Sequence, residues 1–167
     1  MKLKNIHFLH IIKMEKINQL IIDFSKKYPC LKHVDIETCS YNNLYIARCV
    51  GDITGDYKLI KKGRIINILP KKIILSDVAL KKKDEDLLFI FIHECTHAIT
   101  PRVERKVKNE YVRIDHSRLF YENFLELLNL AYKLKYINYT FSNIKELMIR
   151  DNRNENIKND YKIYSKV

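Results

Sequence analysis

The sequence predicts an α+β domain, on three observations. Apolar side chains recur at helical spacing from Ile11 to Tyr28 and again from Leu87 onward. Between them, from His33 to Ser76, the period changes to two, as in half-buried strands. Every strand-like piece precedes the helix that opens near Leu87, so the expected order is an N-terminal helix, a small sheet, then further helices.

The elements follow in order. Ile17, Leu20, Ile21, Phe24 and Tyr28 line one face of an N-terminal helix, which Pro29 stops. Val34, Ile36 and Thr38 alternate with Asp35 and Glu37, then Tyr41-Asn42-Asn43 supplies a turn before a strand from Leu44 to Val50. Gly51 to Asp56 reads as a break. Tyr57–Ile60 and Arg64–Leu69 flank Lys61-Lys62-Gly63 as a hairpin, Pro70 interrupts, and Ile73–Ser76 is a last short strand. The sheet is therefore small and mainly antiparallel.

Lys81-Lys82-Lys83 reads as a solvated loop, and Asp84 as the N-cap of the next helix, with Glu85 and Asp86 in a first turn where acids suit the helix dipole. No Gly or Pro interrupts Leu87–Ile99, and Thr100-Pro101 ends it. Arg102–Ile114 is charged and poorly periodic, which predicts a loop over the neighbouring helix. Asp115 is the expected N-cap of a further helix that starts with His116. Tyr136–Tyr139 is an aromatic seal on the core, Asn143–Ile149 a short helix, and Asp151–Val167 a polar stretch that forms a frayed helix or a tail. Residues 1–140 are expected to form the domain and 141–167 a C-terminal helix and tail.

Composition bounds the function. A chain of 167 residues, 47% hydrophobic and 31% charged, is long enough to bury a proper core. The longest apolar run falls far short of the roughly 20 residues a membrane span needs, and Met1–Ile12 is broken by Lys, Asn and His with no small-residue cleavage site. Cys30, Cys39, Cys49 and Cys95 form no Cys-x-x-Cys pair, which argues against a zinc finger and for a reduced, intracellular protein, in cytoplasm or nucleus. The formal charge of +11 allows a DNA partner through a basic surface. Its Lys and Arg are spread along the chain, however, and heavy use of Ile, Lys, Asn and Tyr suits an AT-rich microbe or a large DNA virus.

The chemistry concentrates in His93-Glu94-Cys95-Thr96-His97. Four residues make slightly more than one helical turn, so His93 and His97 leave one face close enough to hold one cation, with Glu94 beside them. Two neutral nitrogen donors and a carboxylate that takes a proton from water are what metal-assisted hydrolysis requires. Leu87–Ile92 leads straight into the motif, so these polar groups are buried and need partners or a metal. Cys95 reads as a small buried hydrophobe, and His7, His10 and His33 lack a companion at ligand spacing.

A catalytic zinc usually takes three protein ligands. His116 ranks first as the third: at about 100° per residue, Leu119, Phe120, Phe124, Leu127, Leu130, Ala131 and Leu134 fall within about 80° of it. Glu122 ranks next although it lies roughly 120° away, and Glu126 lies roughly 80° off. Glu104 and Glu110 in the connector stay open as alternatives.

His93, Glu94, His97 and Ala98, an intervening segment, then His116 and Phe120 opening an apolar helix resemble the SprT-like and WLM branch of zinc metallopeptidases, over roughly Ile73 to Leu130. The resemblance implies a zincin-like fold, Zn²⁺ on His93, His97 and His116, and Glu94 as general base. It also implies a sheet edge beside the cleft and a link to proteolysis of DNA-trapped proteins. The expected substrate is a protein or peptide added to an edge strand at Ile73–Ser76, with Tyr111 or Arg113 aiding the oxyanion. A zinc-dependent nuclease and a non-catalytic nucleic-acid-binding module with a structural metal are the rival readings.

Overall fold

The computed structural model describes residues 2–41 and 45–155, an α+β fold in which helices pack against a mixed five-stranded sheet. Helix α1 (Lys2–Ser25) is longer at its start than its apolar stripe required, and Phe8, Leu9, Ile11 and Ile12 remain exposed there. The stripe itself holds, with Ile17, Leu20 and Phe24 fully buried. Tyr28 leaves helical backbone geometry (φ −120°, ψ 84°), as suits a residue before proline, and Pro29 opens a 3₁₀ turn, Pro29–His33.

Strand β1 (Asp35–Cys39) is followed by β2 (Ala47–Ile60) and β3 (Gly63–Ser76), which form one long hairpin instead of short, separated strands. The turn expected at Asn42-Asn43, and Leu44, lie outside the described residues. The expected breaks became irregularities within continuous strands. Register shifts fall between Val50 and Gly51, where the partner changes from Lys72 to Pro70, and between Ile53 and Tyr57, around Gly55 at φ +84°. Such bulges absorb a proline without an N–H and a left-handed glycine while the ladder continues on either side.

The sheet order is β1-β3-β4-β5, with β2 on the other edge of β3. The sheet is antiparallel except for β1, which runs parallel to β3 in the register Ile36 to Ile73. Strands β4 (Arg102–Val107) and β5 (Glu110–Ile114) occupy the segment expected to be a loop. Their two-residue turn is Lys108-Asn109, with Lys108 at φ 54°, so the hairpin forms without the glycine that usually announces it. Its attachment to β3 depends on Gly63, where a Cβ would meet the Glu104 carbonyl oxygen at 1.9 Å. Gly63→Ala is therefore expected to cost roughly 1–3 kcal/mol, read as a lower urea midpoint.

Helix α2 (Asp77–Lys81) is capped by Ser76, and the buried Lys13 ammonium donates to the Leu80 and Lys82 carbonyls at 3.0 and 2.6 Å. The lysine run is thus partly helix, not all loop. Helix α3 (Asp84–Ile99) has Lys83, not Asp84, at its N-cap, and it ends at Thr100 before Pro101 as expected. The three acids still occupy its first turn, where the dipole favours them. Helix α4 (Arg118–Lys133) is capped by Ser117, whose hydroxyl oxygen accepts from the Phe120 N–H at 3.2 Å; Asp115 instead pairs with Arg113. Helix α5 (Ile144–Glu155) continues past Ile149, and its Leu147 and Asp151 are buried.

Helix α3 meets β2 and β3 on one side and α1 and α4 on another. Phe89, Phe91, Ile92, Phe120, Phe124 and Leu127, all at most 1% exposed, fill that junction. Among the described residues no helix is long and apolar enough to cross a membrane.

Candidate metal centre

The structure brings His93, His97 and His116 together, their potential ligand atoms all within 4.8 Å of one another. His93 and His97 project from one turn of α3, while His116 comes from the turn between β5 and α4 and not from within the helix. Ser117, one residue later, takes the N-cap position and leaves His116 to point back at α3. The Nε2 atom of His93 lies 3.1 Å from that of His97 and 3.2 Å from that of His116. Zinc–imidazole bonds of about 2.0–2.1 Å at tetrahedral angles place ligand nitrogens about 3.3–3.4 Å apart, so the donor set fits such an ion.

Phe120 is the floor of this cluster. Its fully buried ring lies 5.0, 4.5 and 4.7 Å from the rings of His93, His97 and His116, so one side chain fixes all three faces and keeps water from behind them. Burial, followed by the neighbouring His93, His116 and Arg113, pushes the His97 imidazole well below its usual range, which keeps it a neutral donor. Glu94 is 5% exposed and lines the same cleft.

No family model matches the chain, and no curated protein or solved structure does.

The other proposed ligands are engaged elsewhere. Glu104 is buried but held by Arg64 Nε at 2.7 Å and Arg102 Nη2 at 2.6 Å. Glu122 is exposed and paired with Arg118 at 2.8 Å, and Glu110 is exposed at the start of β5. Glu126 binds Lys27 and Tyr28. Among the described residues the histidine cluster is the one group of His, Cys, Asp or Glu placed to hold a metal. Cys95 is fully buried, as a small hydrophobe would be. Cys49 lines the cleft, but burial, with Glu94 behind it, pushes its thiol up to about 12, so it is a neutral wall residue.

The cleft measures about 510 Å³, and its walls come from β2 (Ala47–Gly51 and Ile53), Ile68, the end of α3 and the Arg113–His116 turn. The segment Ile73–Ser76 is not an edge. Its residues pair with β1 on one side and with Ala47–Cys49 of β2 on the other, because β3 is the strand on which the sheet is centred. Among the described residues β2 pairs with β3 alone, so the strand edge beside the cleft belongs to β2. Tyr111 is turned away, its ring 4.2 Å from the Arg64 guanidinium, whereas Arg113 does line the cleft.

Sequence reasoning missed Asp151. Its Oδ1 lies 2.9 Å from His93 Nδ1, and its Oδ2 accepts from the Tyr121 hydroxyl at 3.1 Å. The signal was present: Ile144, Leu147, Met148 and Asp151 fall at helical spacing on one stripe, so the carboxylate stands where a core residue belongs.

Proposed function

We propose that the protein is a zinc metallopeptidase of the SprT-like or WLM kind with a zincin-like fold, working inside the cell on proteins, including DNA-associated ones. The observation that carries this reading is the convergence of three Nε2 atoms beside a buried glutamate, in a cleft flanked by a strand edge. His93, His97 and His116 would hold the ion. Zinc, when bound, would supply Lewis acidity and lower the pKa of a water molecule toward about 7.

The protein's own groups do the rest. Glu94 takes the proton from the attacking water and hands it to the departing amine, a transfer that suits a carboxylate kept from bulk solvent. The β2 edge at Ala47–Gly51 receives an extended peptide by backbone hydrogen bonds, in place of the Ile73–Ser76 edge first expected. Arg113, which lines the cleft and pairs with Asp115, would steady the developing oxyanion. Casein cleavage by the zinc-loaded chain, compared with Glu94→Gln, tests the proposal; cleavage that survives the substitution would sink it.

A nucleic-acid partner is favoured by one further observation. The tips of the two hairpins carry the exposed Lys58, Lys61, Lys62, Lys106 and Lys108 beside the exposed rings of Tyr57 and Tyr111, between which Arg64, paired with Glu104, is packed. Cations interleaved with aromatic rings suit phosphates and unstacked bases. Anisotropy with a labelled single-stranded oligonucleotide is expected to show binding that weakens between about 50 and 200 mM salt. Lys61→Ala with Lys62→Ala should lower the salt slope by about 1.4. An unchanged slope would remove this surface from the account, and Glu94-dependent cutting of the oligonucleotide would favour the nuclease reading instead.

A further inference from the structure

We infer that Asp151 is a positioning residue of the metal centre, acting through His93, so that the centre is complete only when the C-terminal helix α5 is docked. The inference rests on the metal-binding part of the proposed function and on none of its peptidase chemistry.

An ionised carboxylate only accepts hydrogen bonds, so the 2.9 Å contact between Asp151 Oδ1 and His93 Nδ1 needs the imidazole proton on Nδ1. The neutral ring then carries its lone pair on Nε2, the atom that faces the Nε2 atoms of His97 and His116. The opposite tautomer would put a proton where a cation has to sit. Tyr121 holds the second carboxylate oxygen, and it belongs to the same first turn of α4 as Phe120, whose ring backs the histidines. Asp151, Tyr121 and Phe120 together therefore fix both the tautomer and the plane of His93.

The carboxylate reaches this position because α5 is anchored in the turn that precedes it. Leu147, one turn earlier, is fully buried. The Arg150 guanidinium lies 4.9 Å from the Phe89 ring and 4.6 Å from the Tyr139 ring, and its Nη2 is 3.4 Å from Asp86. These contacts hold α5 to the N-terminal half of α3, the helix that carries His93. The Asp151 carboxylate is 2% exposed and shared between His93 and Tyr121, so it stands behind His93 only where α5 is docked. Metal binding and docking of α5 are consequently linked, and each stabilises the other.

Zinc affinity of the purified full chain, measured by competition with a chromophoric chelator at one pH, tests this in wild type, Asp151→Asn, Asp151→Ala and Tyr121→Phe. Asp151→Ala is expected to bind zinc roughly 10–100-fold more weakly, and Asp151→Asn, which keeps an acceptor but loses the charge, toward the lower end of that range. Tyr121→Phe should show a smaller loss in the same direction. Hydrogen exchange supplies a second readout: zinc should slow exchange of α5 amides in wild type and fail to do so in Asp151→Asn. A merely structural aspartate would lower the stability of the metal-free variants and leave their zinc affinity at the wild-type value, which overturns the inference. If Asp151→Ala does not fold, wild-type affinity in Asp151→Asn together with Tyr121→Phe overturns it equally. Failure of the wild-type chain to bind zinc would instead remove the metal centre itself.

Discussion

Glu94→Gln should lower peptide hydrolysis by roughly 10²–10⁴-fold, the usual worth of a positioned general base, while zinc content stays at the wild-type level. The two halves of this result have different causes. Gln has nearly the shape of Glu and makes hydrogen bonds, so a site that is only 5% exposed can keep its packing. It cannot take a proton at neutral pH. Glu94 is not one of the three candidate donors, so removing its charge should leave them in place. Activity measured on a quenched peptide, with zinc by mass spectrometry on the same sample, separates the base from the metal. Loss of both together would mean that Glu94 holds the ion instead of the proton.

His116→Ala should reduce retained zinc from one per chain to near zero and abolish hydrolysis with it. Two histidines one turn apart are fewer than the three protein ligands a catalytic zinc usually has. The substitution is also a clean one for the fold. His116 lies in the turn before α4, and the N-cap that starts the helix is Ser117. The Phe120 floor and the α3 histidines should stay in place. Circular dichroism of the variant should match wild type, which assigns the loss to the ligand. Zinc retained at full stoichiometry would show that another residue completes the site.

The chemistry of this site was easier to read from the sequence than the shape around it. His93, Glu94 and His97 are related by the geometry of a single helical turn, and His116 could be ranked because the apolar residues after it mark a buried stripe. Those inferences use short-range regularities. The β4–β5 hairpin escaped because its turn uses Lys108 in a left-handed conformation and its strands carry Arg, Lys and Glu, so both turn chemistry and hydrophobic alternation were faint. Gly55 and Pro70 were read as chain breaks, yet the partner strand absorbs each as a change of register, an outcome only the pairing reveals. Misplacing the sheet edge had the same origin: Ile73–Ser76 looks like a short last strand until β1 and β2 are seen on both of its sides. Asp151 lies 58 residues from His93, and nothing local to a polar, Asn-rich segment announces which imidazole it will meet.

The account stands on three imidazoles from two separate segments acting as one ligand set. Zinc K-edge X-ray absorption on the purified full chain tests that directly. Three nitrogen scatterers at about 2.0–2.1 Å with imidazole outer-shell features, and one oxygen ligand besides, are the expected result. A sulfur shell at about 2.3 Å, or a shell with no imidazole features, would contradict it.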